Sequence, residues 1–123
     1  MNNANPDNPG LDAQALARLR ELDPEGRLGV LSRVLTAFEN SVQRMVTQLE
    51  AQPNTGDAQL VAGLAHTLKS SSASVGALSL SLACADVEAK LRKGDTSAMH
   101  LDISRLISEG RAALLAVGAI LRA

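Results

Sequence analysis

Residues 65–77 read AHTLKSSSASVGA, and this segment decides both the fold and the function that the sequence predicts. Read as a helix, at about 100° per residue, it divides with the turn before it into two faces. One face is expected to point into a core, and it carries Val61, Leu64, Ala65, Leu68, Ser72 and Val75. The other face carries His66, Lys69, Ser70 and Ala73, together with Ala62 and Gly63. A histidine is thus predicted to face outward, among side chains too small to hold a partner molecule away.

Two other segments carry apolar residues at alternating spacings of three and four. The first consists of Leu28, Leu31, Leu35, Phe38, Val42, Met45 and Leu49. The second consists of Met99, Ile103, Leu106, Gly110, Ala113, Val117 and Ile120. This seven-residue repeat is typical of helices that pack at a shallow angle in a bundle. Residues 78–93 form one more predicted helix, whose inner face carries Leu80, Ala83, Cys84, Val87 and Leu91.

Capping and turn-forming residues mark the ends of these helices. Asp12 is placed to cap a short first helix, and either Thr55 or Asp57 to cap the helix that carries His66. Glycines at 76 and 94 are expected to end the third and fourth helices, because glycine adopts the left-handed conformation without steric cost. Asp95 or Thr96 is expected to begin the fifth helix.

The predicted fold is all-α: an antiparallel up-down four-helix bundle with a short additional N-terminal helix. Apolar residues make up 46% of the 123 residues, and the good helix formers Ala and Leu are prominent among them. Residues 1–10 contain four Asn and two Pro without any periodicity, and they are predicted to be a disordered tail. Residues 11–123 are predicted to form the bundle domain.

Composition excludes several classes of function. A net charge of -1 and a single aromatic residue argue against binding to nucleic acid, which needs a basic surface. One cysteine excludes an internal disulfide, the N-terminus is too polar for a signal peptide, and no apolar run approaches the length of a membrane span. A cytoplasmic protein is therefore expected. The two histidines have no ligand cluster around them and no glycine-rich phosphate loop is present, so neither a metal site nor a cofactor is predicted.

The residues that follow His66 resemble the signature of histidine-containing phosphotransfer (HPt) domains. His-Thr-Leu-Lys is followed by small residues, then by Gly76-Ala77, a leucine, Cys84 and Glu88. Ser70 departs from the pattern, since the family commonly has glycine there. The resemblance implies that His66 accepts and donates a phosphoryl group in a two-component phosphorelay. It further implies two kinds of partner, the receiver domain of a response regulator, which supplies an aspartate and Mg²⁺, and a hybrid sensor histidine kinase.

The chemistry of these residues agrees with that role. A neutral imidazole is a nitrogen nucleophile, and Lys69, at i+3 from His66, is placed to neutralise phosphoryl oxygens. An aspartate of the partner must come within bonding distance of the imidazole, and small residues permit this. The predicted partner-approach surface therefore consists of Ala62, Gly63, Ser70 and Ala73.

The sequence leaves the role of Glu88 open. The resemblance implies that its carboxylate accepts a hydrogen bond from Nδ1 of His66, since a polar residue at this position binds the histidine ring in some HPt domains. The spacing alone equally allows a solvated carboxylate or a pair with Arg92 at i+4. Cys84 lies in the apolar stripe of the same helix and is expected to pack there as a small apolar residue.

The function predicted from the sequence is that of a monomeric phosphocarrier, not an enzyme. One alternative is the phosphoacceptor domain of a sensor histidine kinase, but Thr67 stands where an acidic residue usually follows the histidine of such domains. Another alternative is an adaptor that binds receivers, or a plain helical bundle, without phosphotransfer. An assay for acid-labile phosphate separates this second alternative from the carrier.

Overall fold

The computed structural model describes residues 4–5, 8–52 and 56–123, and it describes side chains from residue 10 onward. Two short strands precede five helices. The strands are β1 (Ala4–Asn5) and β2 (Asn8–Asp12), and the helices are α1 (Ala13–Glu21), α2 (Val30–Glu50), α3 (Ala58–Ser74), α4 (Leu78–Arg92) and α5 (Met99–Leu121).

The four long helices form the predicted bundle. Glu50 pairs with Arg111 and Glu39 with Arg122, so α2 and α5 run in opposite directions. The pairs Asp86–Arg105 and Lys90–Asp102, each with a shortest N–O distance of 3.0 Å, show the same for α4 and α5. The short turn between α3 and α4 makes these two helices antiparallel as well, and they share the most extensive contact in the bundle. The prediction of a helical bundle is confirmed.

The residues predicted to face inward form one core, with the exception of Leu28. Residues from α2, α3, α4 and α5 meet there, and a few side chains of the N-terminal segment join them. The most deeply buried large side chains are Leu11, Leu16, Leu35, Met45, Leu49, Leu80 and Leu106. Phe38, the single aromatic residue, is also buried in this core. A repeat of three and four therefore identified the inner faces correctly, because helices packed nearly antiparallel bury one continuous stripe each.

Two of the predicted helix starts are wrong. Leu28 is 64% exposed and precedes α2, which begins at Val30. The carboxylate of Asp23 accepts hydrogen bonds from the backbone N–H groups of Leu28 and Val30, and this holds the connection in a non-helical conformation. The fifth helix begins at Met99 and not at residue 95 or 96, because Asp95 binds the N–H and hydroxyl of Ser97 in a local turn.

The other predicted helix ends agree with the structure. Asp12 accepts a hydrogen bond from the N–H of Ala15 at 3.1 Å and caps α1. Asp57 caps α3 through the N–H groups of Gln59 and Leu60, whereas the alternative cap, Thr55, lies outside the described residues. Gly76 and Gly94 have φ of 85° and 82° and stand just after the ends of α3 and α4.

The N-terminal segment packs against the turn between α3 and α4. β1 and β2 pair in an antiparallel ribbon, and the N–H of Asp12 donates to the carbonyl of Gly76 at 2.9 Å. Leu11 is buried in the core. Residues 1–3 and 6–7 of the tail that was expected to be disordered lie outside the described residues. The boundary between a tail and the bundle domain at residue 10 stays a prediction.

Candidate functional site

His66 lies in the middle of α3 with 63% of its side chain exposed, as the helical pattern predicted. Ser70 and Ala73 are exposed on the same helix, and Gly63 is partly buried. The imidazole therefore stands on a ridge whose neighbouring side chains are short. Such a ridge allows another protein to bring a side chain within bonding distance of the ring.

The burial of Ala62 shows that the predicted partner-approach surface was wrong at this residue. Only 6% of this residue is exposed, so it belongs to the core and not to the outer face. The helical wheel assumed a single buried side, but α3 packs against α4 and also against α2, and its buried arc is correspondingly wider. Ala62 and Val61, which are consecutive in sequence, are both buried for this reason.

Glu88 of α4 joins the site, and its carboxylate is the centre of a hydrogen-bonded cluster. Its side chain is only 10% exposed. Oε2 lies 2.7 Å from Nδ1 of His66, and Oε1 accepts a hydrogen bond from Nζ of Lys69 at 2.7 Å. Nε of Arg92 donates to Oε2 at 3.2 Å. The structure therefore combines two roles that the sequence presented as alternatives, since Glu88 contacts the imidazole and pairs with Arg92, and it excludes a solvated carboxylate.

Helical spacing and one cross-helix contact explain why these residues meet. His66 and Lys69 are three residues apart on α3, and Glu88 and Arg92 are four apart on α4, so each pair shares a face of its helix. The hydroxyl of Ser81 donates to the carbonyl of Lys69 at 2.9 Å, which helps to fix the register of α4 against α3. One short turn joins the two helices, so the four side chains of the cluster lie on a single helical hairpin.

The electrostatics of the cluster determine which nitrogen of His66 is free. The hydrogen bond from Lys69 is the largest influence on Glu88, and with those from Arg92 and His66 it outweighs partial burial and lowers the pKa of Glu88 from an ordinary 4.5 to about 2. Glu88 is therefore ionised at neutral pH and can only accept hydrogen bonds. The proton on the imidazole must then be at Nδ1, which leaves the lone pair of Nε2 directed away from Glu88.

Two further polar groups illustrate what the sequence did and did not indicate. Cys84 is fully buried, and burial raises the pKa of its thiol to about 11, in agreement with the expected packing role. Asp102 was missed, although it is 6% exposed and accepts a hydrogen bond from Lys90 at 3.0 Å. An acidic residue next to the apolar stripe of α5 was the only signal, and the same pattern is common for solvated residues.

Comparison with known proteins places this arrangement in a family. The family model described as "Hpt domain" matches residues 33–116. Histidine-containing phosphotransfer protein B (HptB) from Pseudomonas aeruginosa PAO1 has a similar structure, with a TM-score of 0.77, 24% sequence identity and coverage of 93% of this chain and 96% of that chain. None of the curated proteins that were compared matches this chain.

Two plant structures are similar as well. A putative histidine-containing phosphotransfer protein from rice has a TM-score of 0.72 at 21% identity, with 92% of this chain and 82% of that chain covered. ZmHP2, a histidine-containing phosphotransfer protein from maize, has a TM-score of 0.71 at 23% identity, with 92% and 90% covered. At these identities the likeness shows a shared fold.

A helical bundle that matches the Hpt family model and carries His66 on an exposed ridge belongs to the class of histidine phosphotransfer modules. The family model covers more than half of the sequence, and the chain therefore belongs to the Hpt domain family. Its function is that of a histidine phosphotransfer protein in a phosphorelay, and such domains act as phosphocarriers that interact with kinases and receiver domains. Across the described residues, no helix is long and apolar enough to cross a membrane.

Proposed function

We propose that His66 is the phosphoacceptor and that Nε2 is its nucleophilic atom. The observation that carries this proposal is the 2.7 Å contact between Nδ1 and the buried carboxylate of Glu88. This contact orients the ring and, in the neutral imidazole, places the proton on Nδ1 and the lone pair on Nε2, while most of the imidazole remains exposed.

The transfer reaction uses a phosphorylated aspartate of a receiver domain as donor. Nε2 attacks phosphorus, a P–N bond forms, and the bond between phosphorus and the aspartyl oxygen breaks with its electron pair remaining on the carboxylate. The proton on Nδ1 stays between the ring and Glu88 throughout. The reverse sequence returns the phosphoryl group to a receiver aspartate, so His66 carries it between two partners.

Lys69 is the cation that this reaction requires on the carrier. Its ammonium group binds Glu88 at 2.7 Å, and because 38% of the side chain is exposed, it can leave this contact and turn toward oxygens of a group bound at Nε2. A mobile point charge of this kind stabilises a transferring phosphoryl group mainly by electrostatics.

The partner-approach surface consists of Gly63, Ser70 and Ala73. Ser70 and Ala73 are exposed along the ridge that contains His66, and their short side chains let a receiver approach closely. In this proposal the protein is a monomer in the cytoplasm, has no nucleotide site of its own, and receives its phosphoryl group by way of a sensor histidine kinase or hybrid kinase.

The proposal is tested by following ³²P from a phosphorylated hybrid kinase onto wild-type protein, His66→Gln and His100→Gln. His100 is the other histidine of the chain and is exposed on α5, so its variant is a matched control. Wild type and His100→Gln are expected to acquire acid-labile phosphate and to pass it to a receiver, whereas His66→Gln should acquire none.

Labelling of His66→Gln at the wild-type rate would refute the assignment. A wild-type protein that binds a receiver but never becomes labelled would instead support the adaptor alternative. His100→Gln should melt like wild type, because His100 is exposed, and His66→Gln should stay folded although it loses a hydrogen bond to Glu88; circular dichroism checks both.

A further inference from the structure

Arg92 contacts the same carboxylate oxygen as the imidazole, although the proposed reaction assigns it no role. Its Nε donates to Oε2 of Glu88 at 3.2 Å, and Nδ1 of His66 lies 2.7 Å from that same oxygen. Lys69 binds the other oxygen, Oε1. Two cations therefore flank one carboxylate, each from a different helix and each on a different oxygen.

The two cations differ in what the reaction demands of them. If Lys69 turns toward a phosphoryl group on Nε2, it must weaken or leave its contact with Oε1. Glu88, only 10% exposed, would then lose a charge partner, and burying an unpaired carboxylate is unfavourable. An underpaired Glu88 would turn toward water and release Nδ1 of His66. Something must hold it while Lys69 is engaged elsewhere.

We propose that Arg92 is a positioning residue, which acts through Glu88 to keep Oε2 on Nδ1 of His66 while Lys69 moves to the phosphoryl group. This inference rests on the proposed function of His66 and Lys69. Arg92 is suited to the task because it follows Glu88 by one helical turn on α4, so its contact does not depend on α3. Its planar guanidinium, held at Nε, also constrains the orientation of the carboxylate more than an ammonium group would.

The first experiment measures single-turnover phosphoryl transfer from a labelled receiver domain to Arg92→Gln. Arg105→Gln is the matched control, because Arg105 also pairs with a carboxylate of α4, Asp86 at 3.0 Å, and is similarly exposed. Arg92→Gln is expected to lower the transfer rate constant about tenfold, a typical effect of removing a hydrogen bond to a charged group. The affinity of Arg92→Gln for the receiver should stay within about twofold of wild type. The transfer rate constant and the receiver affinity of Arg105→Gln should both stay within the same range.

A double-mutant cycle with Glu88→Gln shows whether Arg92 acts through Glu88. In the Glu88→Gln background, Arg92→Gln should change the transfer rate by less than about twofold, because the group through which it acts has lost its charge. An equal loss in both backgrounds would mean that Arg92 contacts the phosphoryl group or the receiver directly, and would overturn the proposal. So would a wild-type rate for Arg92→Gln.

The second experiment does not depend on phosphotransfer. Lys69→Gln imitates the state in which Lys69 has left Glu88, and ¹⁵N NMR of the imidazole reports which nitrogen carries the proton. The Nδ1–H form of His66 should persist in Lys69→Gln and in Arg92→Gln, and should lose its predominance only in the double variant. An unchanged imidazole in the double variant would refute the role of Arg92. A wild-type protein that never accepts phosphate would instead refute the proposed function while leaving this result intact.

Discussion

Gly76→Ala is expected to destabilise the protein more than any other single-methyl addition at a helix end. Gly76 ends α3 in a Schellman motif, in which its N–H and that of Ala77 bond to the carbonyls of Ala73 and Ser72 at 3.1 and 2.8 Å. Its φ is 85°, which is left-handed backbone that side chains disfavour. A Cβ at this position would also lie 2.6 Å from the backbone N of Asp12, closer than real contacts allow.

The expected cost has three parts. The left-handed conformation with a Cβ costs about 1–2 kcal/mol. Overpacking against the backbone of Asp12, which cannot rotate away as a side chain can, costs about 1–3 kcal/mol. Displacing Asp12 breaks its 2.9 Å hydrogen bond to the carbonyl of Gly76 and costs about 1 kcal/mol more. Gly76→Ala should therefore lower the free energy of unfolding by about 3–6 kcal/mol.

Gly94→Ala is a nearly ideal control for this prediction. Gly94 has φ of 82° and ends α4 in the same motif, with its own N–H bonded to Leu91 and that of Asp95 to Lys90, both at 3.0 Å. Nothing lies within 4 Å of a Cβ built there. Only the conformational part remains, so Gly94→Ala should cost about 1–2 kcal/mol.

Urea unfolding followed by circular dichroism measures both variants against wild type. The difference between the two losses of stability isolates the close approach of the N-terminal segment from the backbone conformation that both glycines share. Equal losses of stability in Gly76→Ala and Gly94→Ala would refute the claim that this segment packs closely against the turn between α3 and α4.

Three further predictions concern the site itself. Ser70→Gly should retain phosphotransfer and lose roughly 0.5 kcal/mol of stability, because glycine has the lower helix propensity. Ser70→Arg should stay folded but block transfer, and a folded Ser70→Arg with the wild-type transfer rate would show that receivers do not approach along this ridge. Lys69→Ala should slow transfer more than it weakens receiver binding, and the opposite outcome in rate and affinity measurements would make Lys69 a docking contact only. Because the pKa of Glu88 is lowered from 4.5 to about 2, the stability that its ionised carboxylate contributes is complete above pH 4.5 and disappears as the pH falls toward 2. The melting temperatures of wild type and Glu88→Gln should therefore converge over that range, and a constant difference would contradict the ionised cluster.

The sequence predicted the bundle and the exposure of His66 well, because both follow from periodicity. Side chains three and four residues apart share a helix face whatever the tertiary structure, and so His66, Lys69 and Ser70 could be placed together from spacing alone. Ala62 was misplaced because the width of a buried arc depends on how many helices pack around α3, which no single-helix pattern contains. The start of α2 was misplaced because Asp23 binds backbone groups five and seven residues later.

Glu88 shows where prediction from spacing stops. Its distance of 22 residues from His66 spans a turn, and whether it meets the imidazole depends on the register between α3 and α4. That register is set by the Gly76 turn and by the hydrogen bond between Ser81 and the carbonyl of Lys69. Periodicity gives the face of each helix but not the offset between two helices, and so the sequence could only leave the alternatives open.

The concentration of the site on one hairpin has a consequence for how the domain works. All four members of the cluster lie on α3 and α4, so their mutual geometry does not depend on α2 or α5 directly. The N-terminal segment contacts the turn that joins these helices, through the hydrogen bond from the N–H of Asp12 to the carbonyl of Gly76. A rigid hairpin suits phosphoryl transfer, in which positioning of the reacting atoms provides much of the rate. The proposed reaction requires the side chain of Lys69 to move, and we expect Arg92, on the other oxygen of the buried carboxylate, to allow that movement without disturbing the imidazole.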